Sequence, residues 1–188
     1  MSPEDMTVLT LSVETDQAIR AALAVEPDGV LDEIARRHGA PLRAVFDRLP
    51  AGAAFAAAGA RFEAVWHKLT TWGPVMFIVH TEDGVFEMKA ELPPGEAGRG
   101  YFNIHGDGPL GGHIRADRCA AIYFIDRPFF KRRSCSLQFI NLDGGAMFKV
   151  FVARDNKREL LADQLDRFER LRQTEALSAK TMEEAADA

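Results

Sequence analysis

Two histidines occupy positions where an imidazole needs a partner. His80 ends the apolar run of residues 75–79, and His113 follows two glycines in the segment 110–115. An imidazole that ends an apolar strand costs free energy unless its ring nitrogens find partners. Paired glycines allow another group to come close to the backbone. Each histidine is therefore either a hydrogen-bonded strand residue or a ligand for a bound group.

A haem group would account for both positions, since its iron takes imidazole ligands and its ring needs an apolar slot. Met88 and Met147 stand in predicted strands that also carry aromatic residues, and they are candidates for the walls of such a slot. Ordinary core packing is the alternative for both methionines. Arg115, close to His113, is a candidate partner for the haem propionates.

Length and charge restrict the function classes. The 188 residues suit one domain with a sizeable core, and 47% of them are hydrophobic. The formal net charge of -5 provides no overall basic field to attract nucleic acid or anionic lipid. The segment Lys131-Arg132-Arg133 is a local exception, and we interpret it as a solvated loop or as the guard of an edge strand.

Cysteine usage and the terminus favour a cytoplasmic location. Cys119 and Cys135 have no nearby cysteine or metal-ligand neighbour, which is typical of small strand residues in a reducing compartment. The start of the chain lacks the basic and apolar segments of a signal peptide. No apolar stretch approaches the roughly 20 residues that a membrane span needs. We therefore expect no membrane insertion.

The first part of the chain carries helical patterns. Phe62, Val65, Trp66 and Leu69 recur at helical spacing and form one apolar stripe. Residues 53–59 are alanine-rich and are predicted to be a connection. The predicted helices are 12–24, 30–38, 41–49 and 61–70, with the second and third forming a helix-turn-helix-like pair.

From Trp72 the period changes from helix to strand. Strands are predicted at 75–80, 85–91, 101–105, 112–115, 120–126, 134–141 and 146–152. Short turns join them without intervening helices, which favours an antiparallel sheet. Asn156 and Glu159 form a capping-box pattern that would open a closing helix.

These patterns predict an α+β fold with N-terminal helices, a large antiparallel sheet and a C-terminal helix. The expected organisation is a flexible tail and the start of the first helix at 1–19, a helical part at 20–70, the sheet with its closing helix at 71–176 and a disordered tail at 177–188.

Over residues 20–175 the chain resembles the cytosolic haem-utilisation carriers of the HutX/ChuX type. The resemblance rests on motifs that occur in this order: Glu26-Pro27-Asp28-Gly29, Phe62-Glu63-Ala64-Val65-Trp66, Trp72-Gly73, Val79-His80-Thr81, Glu91-Leu92-Pro93, Gly100-Tyr101-Phe102-Asn103, Gly112-His113-Ile114, Gly145-Ala146-Met147-Phe148-Lys149-Val150-Phe151 and Arg154-Asp155.

The resemblance implies a soluble, dimer-forming bacterial protein that binds haem b inside the cell and passes it to a haem-degrading or haem-accepting protein. It implies a fold related to one half of larger haem-utilisation proteins. It also implies that His80 and His113 bind the iron, with Tyr101 as a ligand in some members. Some members carry extra histidines where this chain has Glu96-Ala97-Gly98-Arg99.

Two other functions stay open from the residues alone. A haem-degrading or iron-releasing enzyme is one, although no nucleophile–base pair or phosphate-binding loop supports it. A helix-turn-helix regulator is the other, yet Asp47 lies between Arg43 and Arg48 and the chain is acidic overall. We therefore expect a non-enzymatic carrier that does not bind nucleic acid, with haem, a haem-accepting protein and a second copy as its partners.

Overall fold

The computed structural model describes residues 11–186, and their side chains as far as Ala179. Most of the tail predicted at 1–19, and the last two residues of the tail predicted at 177–188, lie outside the described residues. The helices are α1 (Val13–Val25), α2 (Leu31–Arg37), α3 (Leu42–Phe46), α4 (Phe62–Leu69) and α5 (Ala162–Ala186). The strands are β1 (Ala54–Ala58), β2 (Val75–His80), β3 (Val85–Ala90), β4 (Gly95–Gly98), β5 (Tyr101–Ile104), β6 (Gly112–Ile114), β7 (Cys119–Phe129), β8 (Arg132–Asn141) and β9 (Ala146–Phe151).

The strands form two antiparallel sheets, which confirms the predicted α+β fold. The main sheet has six strands in the order β1-β7-β8-β9-β2-β3, and the small sheet has the order β4-β5-β6. Tight turns produce this order: the Thr81 amide donates to the Gly84 carbonyl at 2.9 Å between β2 and β3. Between β8 and β9, Asn141 Oδ1 accepts from the amides of Asp143 and Gly145.

One face of the main sheet, which we call the inner face, carries the hydrophobic core. Leu137 and Phe139 of β8 alternate along the strand with residues of the opposite face, as do Phe148 and Val150 of β9. Trp66 of α4 lies at 5.8 Å from Phe148 in an edge-to-face arrangement. Such aromatic pairs add about 0.5–1.5 kcal/mol beyond their buried area.

The opposite, outer face is only partly covered. Helices α1–α3 pack Ile19, Ile34 and Phe46 against Tyr123 and Ile125 of β7. Ile140 of β8 and Ala146 of β9 also belong to this cluster, which contains no residue of β2 or β3. The helix-turn-helix-like pair is thus a cap on the sheet: all five residues of α3 are buried, which leaves this helix no exposed face to enter a DNA groove.

Helix α5 is fastened by one buried glutamine. The Oε1 atom of Gln164 accepts from the Ala153 amide at 2.8 Å, and its Nε2 atom donates to the carbonyls of Trp72 and Pro74 at 2.9 Å. Phe168 of the same helix is fully buried in the core. In the part of the chain that the structure describes, no helix is long and apolar enough to cross a membrane.

The structure corrects two predictions of local structure. The predicted connection at 53–59 contains strand β1, which pairs with β7 from Ala54 opposite Ile125 to Ala58 opposite Ala121. The capping box at Asn156 and Glu159 is also wrong, because α5 begins only at Ala162. In its place Asp155 Oδ1 accepts from the Lys157 and Glu159 amides and closes a turn. Helix α5 itself extends to Ala186.

Gly59, directly after β1, tests the close approach of β1 to the start of β7. A Cβ atom at Gly59 would lie 1.8 Å from the Cys119 carbonyl oxygen. This oxygen belongs to the backbone, so relieving the clash requires a backbone shift that costs free energy. We expect Gly59→Ala to lower the free energy of unfolding by about 1–3 kcal/mol. Urea denaturation would measure this. Gly108→Ala is the control, since a Cβ there meets nothing within 4 Å; equal effects of the two changes would contradict the packing.

Candidate ligand-binding site

A concavity of about 590 Å³ lies on the outer face, beside the cap of helices. Its volume is within the usual range for small-molecule and cofactor sites, roughly 300–1,000 Å³. Strands β2, β3, β7, β8 and β9 contribute to it, and the first turn of α2 forms one wall. Its apolar lining includes Leu31, Met76, Ile78, Ile125, Phe129 and Phe151.

Polar side chains are buried in the floor of this concavity. Gln138 and Lys149 are each 5% exposed, on strands whose other face is the aromatic core. The ammonium group of Lys149 donates to both oxygens of Asp32, at 2.7 and 2.5 Å. Gln138 Oε1 has no hydrogen-bond partner among the described residues, and neither has Nε of Arg127. Desolvation by burial lowers the pKa of Arg127.

Asp32 also orients His80. The Nδ1 atom of His80 lies 3.2 Å from Asp32 Oδ1, at the end of β2. A histidine that donates Nδ1–H to a carboxylate keeps its Nε2 lone pair for a metal, which is the usual outer arrangement around metal-binding histidines. The structure thus places His80 at the concavity with a carboxylate beside its Nδ1 atom.

The second predicted histidine lies on the small sheet. His113 of β6 stands opposite Asn103 of β5, and its Nδ1 atom lies 2.7 Å from Asn103 Oδ1. The amide nitrogen of Asn103 donates to the Gly98 carbonyl at 3.0 Å, so the oxygen must face the imidazole. Oxygen only accepts, and His113 therefore carries its proton on Nδ1 and a free lone pair on Nε2.

Tyr101 and Arg115 complete this second group. The Tyr101 and His113 rings are 5.9 Å apart, and the Arg115 guanidinium lies 5.7 Å from the Tyr101 ring centroid. Arg115 also donates to both oxygens of Asp117, and this contact raises the pKa of Arg115 and lowers that of Asp117. All three predicted side chains of this group are exposed.

The structure separates the predicted ligands into these two groups. His80 belongs to the outer face, whereas the small sheet packs through Phe102 into the core beneath the inner face. Met88 and Met147 are half-buried against that same core and do not line the concavity. Within one chain, His80 therefore has neither His113 nor the two methionines beside it.

Sequence reasoning missed Asp32 and Lys149. The sequence did contain a signal for Lys149, which is the only charged residue in the apolar strand 146–151. A charge inside a buried strand needs a partner of opposite charge. Asp32 had no signal of its own, since it is one of two acidic residues in the first turn of α2.

The cysteines are placed as predicted, as small strand residues. Cys119 and Cys135 are free and buried. Desolvation raises the pKa of each thiol to about 12, so both stay protonated at neutral pH. Neither cysteine lines the concavity.

Comparison with known proteins identifies the family. The family described as "Haem utilisation ChuX/HutX" matches residues 55–171. The chain belongs to this family. The match contains β2 and β6, and hence both predicted histidines.

Named relatives agree with this assignment. The chain is 35% identical over 116 residues to the "Intracellular heme transport protein HutX" of Vibrio cholerae, an alignment that spans 61% of this chain and 60% of that relative. A solved structure from Erwinia carotovora is 42% identical, with a TM-score of 0.80 over 88% of this chain and 99% of the other. The structure of the "Heme Binding Protein ChuX" is 36% identical, with a TM-score of 0.76 over 83% and 97% of the two chains.

A more distant likeness concerns the fold alone. The structure of ChuS, described as an E. coli heme oxygenase, is 15% identical with a TM-score of 0.62. The alignment covers 85% of this chain but 48% of ChuS, so the fold of this ChuX/HutX member occupies about half of the larger protein.

Removing the Asn103 acceptor tests the orientation of His113. In wild type, ¹⁵N NMR of the neutral imidazoles should show the His113 proton on Nδ1, because Asn103 Oδ1 can only accept. In Asn103→Leu we expect His113 to lose this preference and to match the exposed His67 of α4, which serves as an internal reference. A wild-type His113 protonated on Nε2 would contradict the hydrogen bond.

Proposed function

We propose that this protein is a haem-binding carrier that works inside the cell and passes haem b to a haem-degrading or haem-accepting protein, and that it is not itself an enzyme. Family membership supports the haem, and the relative from V. cholerae is named for its intracellular transport. The observation that carries the proposal is His80, an imidazole that lines an apolar concavity and has the Asp32 carboxylate beside its Nδ1 atom.

The concavity fits the three requirements of haem. Its apolar lining suits the macrocycle, and His80 supplies a nitrogen for the iron. Lys149, Arg127 and Arg154 are cations in the same lining, where carboxylates such as propionates find donors. Bound haem would supply the iron as cargo, and the chain's own task is to hold it and to keep water away from one side.

The small sheet provides a second candidate ligand set. His113 and Tyr101 are exposed, with their rings 5.9 Å apart, and both an imidazole nitrogen and a tyrosine oxygen are known ligands of haem iron. Among the described residues these side chains are exposed to solvent, so haem bound there would need a second protein surface to cover it. We propose that a second copy of this chain supplies it, in a homodimer that uses the edge strand β3 with its exposed Val85 and Phe86.

A ferric haem titration followed by absorbance tests the function. We expect a saturable shift of the haem band in wild type and a large loss of affinity in His80→Ala, because the iron loses its imidazole. His113→Ala and Tyr101→Phe are the matched changes at the small sheet. The absence of a saturable shift in wild type would contradict the carrier.

The same titration assigns the ligand. Loss of affinity in His113→Ala or Tyr101→Phe, with His80→Ala unchanged, would move the iron to the small sheet. If a mixture of His80→Ala and His113→Ala chains binds better than either variant alone, the site spans two subunits. Biliverdin-like products after addition of a reductant would contradict a purely non-enzymatic role.

Asp32 provides a test that leaves the iron ligands in place. Asp32→Asn removes the carboxylate that orients His80 and neutralises Lys149, so we expect haem affinity to fall about 10–100-fold. Asp163→Asn is the control, because it removes the same charge from an exposed side chain of α5 that does not line the concavity. Equal titration curves for the two variants would show that Asp32 does not position the ligand.

A further inference from the structure

We propose that a basic surface at the tip of the β7–β8 hairpin is the docking site for the haem-accepting protein, and that this acceptor presents carboxylates. This inference rests on the proposed carrier function. The surface is a hollow of about 620 Å³ that joins the hairpin tip to the turn before α5. It is lined by Phe130, Lys131, Arg132, Arg133, Arg154 and Glu159, with two half-buried leucines.

The charges of this surface are not balanced within the chain. Arg133 pairs with Asp126 and Glu169, and Arg132 reaches Glu159 at 3.6 Å. Lys131 has no carboxylate partner among the described residues, and the guanidinium of Arg154 donates only to backbone carbonyls. The carboxylates of Asp28, Asp126 and Glu169 lie against this surface, but the hollow itself is lined by cations and by one carboxylate, that of Glu159. The Lys131 and Arg154 side chains, which have no carboxylate partner, therefore favour a partner that presents carboxylates.

An exposed aromatic ring stands at the centre of the tip. Phe130 is 69% exposed, and Phe130 and Lys131 both have positive φ, 46° and 64°. Glycine or asparagine is the usual residue for such a hairpin turn. The turn is held by Asp28, whose carbonyl and carboxylate accept from the Phe130 and Lys131 amides. A strained turn that displays an aromatic ring beside cations is typical of an interaction surface.

The position of the surface fits haem transfer. Arg154 lines both this hollow and the concavity that contains His80. Phe129 belongs to the concavity and Phe130 to the hollow, and their rings are 4.5 Å apart. A protein docked on the basic surface would therefore contact the rim of the proposed haem site.

A labelled acidic peptide tests the recognition. The probe is a short fluorescein-labelled peptide of glutamates interspersed with leucines, and its binding to the haem-free full chain is followed by anisotropy. We expect the peptide to bind and its affinity to fall with added salt. In the double variant Lys131→Glu/Arg132→Glu we expect the affinity to fall at least about tenfold. Neither Lys131 nor Arg132 lines the haem concavity. Lys68→Glu/Arg170→Glu is the control, with the same change of net charge at exposed positions elsewhere.

The outcomes separate this proposal from the carrier function. Peptide binding that survives in the control and is lost at the tip supports the docking site, whether or not haem binds. With haem-loaded protein, quenching of the bound fluorescein supports docking beside the haem, and its absence overturns that placement.

Equal losses of peptide affinity in both double variants would overturn the site. Binding of phosphatidylserine vesicles or duplex DNA by the tip, without binding of the peptide, would also overturn it. If the charge-reversal variant Lys131→Glu/Arg132→Glu does not fold, the charge-neutral variant Lys131→Gln/Arg132→Gln takes its place in the same measurement.

Discussion

The alternation of β8 and β9 between an apolar and a polar face is the constraint on which the site depends. The inner face of these strands is aromatic core, so Ser136, Gln138 and Lys149 must occupy the outer face. Buried polar groups there cost about 1–3 kcal/mol each when they lack a partner. The charge of Lys149 is compensated by Asp32 of α2, and the same carboxylate orients His80. One ion pair thus ties the helical cap to the sheet and prepares the imidazole.

Each candidate ligand is prepared in the same way by a different neighbour. Asp32 faces Nδ1 of His80, and the Asn103 amide oxygen faces Nδ1 of His113. Both arrangements leave Nε2 available. The small sheet packs through Phe102 into the core beneath the inner face, and His113 does not line the concavity that contains His80. In the proposed carrier, either one group holds the haem or two chains contribute one ligand each.

Periodicity was sufficient to predict the helices and most strands, because their apolar residues recur on one face. It failed where tertiary contacts decide the structure. The alanines of β1 have low strand propensity and become a strand through pairing with β7. Strand β4, a Gly-Glu-Ala-Gly segment, was missed for the same reason, although the Arg99-Gly100 turn with φ of 54° and 80° signals a hairpin. The capping-box pattern failed because Asp155 competed for the same amides.

The site was predictable in type and not in arrangement. Both histidines were found from their residue type and setting, but their partners lie far away in sequence. Asp32 meets His80 only because α2 packs over the outer face, and no spacing rule contains that contact. The basic segment at residues 131–133 was interpreted as a solvated loop from sequence. Its relation to the concavity depends on Arg154, which the turn at 155–159 brings beside the hairpin tip.

A carrier must release what it binds, and the position of the concavity is relevant to that requirement. The helical cap covers the outer face of β7 and reaches Ile140 of β8 and Ala146 of β9, so the proposed haem site has the cap as a wall on one side. Binding would then depend on a few polar contacts. Asp32 competes with the haem for one of them, because a propionate that pairs with Lys149 must displace Asp32. That exchange limits affinity at the point where His80 is oriented. In the proposed carrier, capture and release would be coupled through the same carboxylate, and Arg154 lies at the rim where the proposed acceptor would dock.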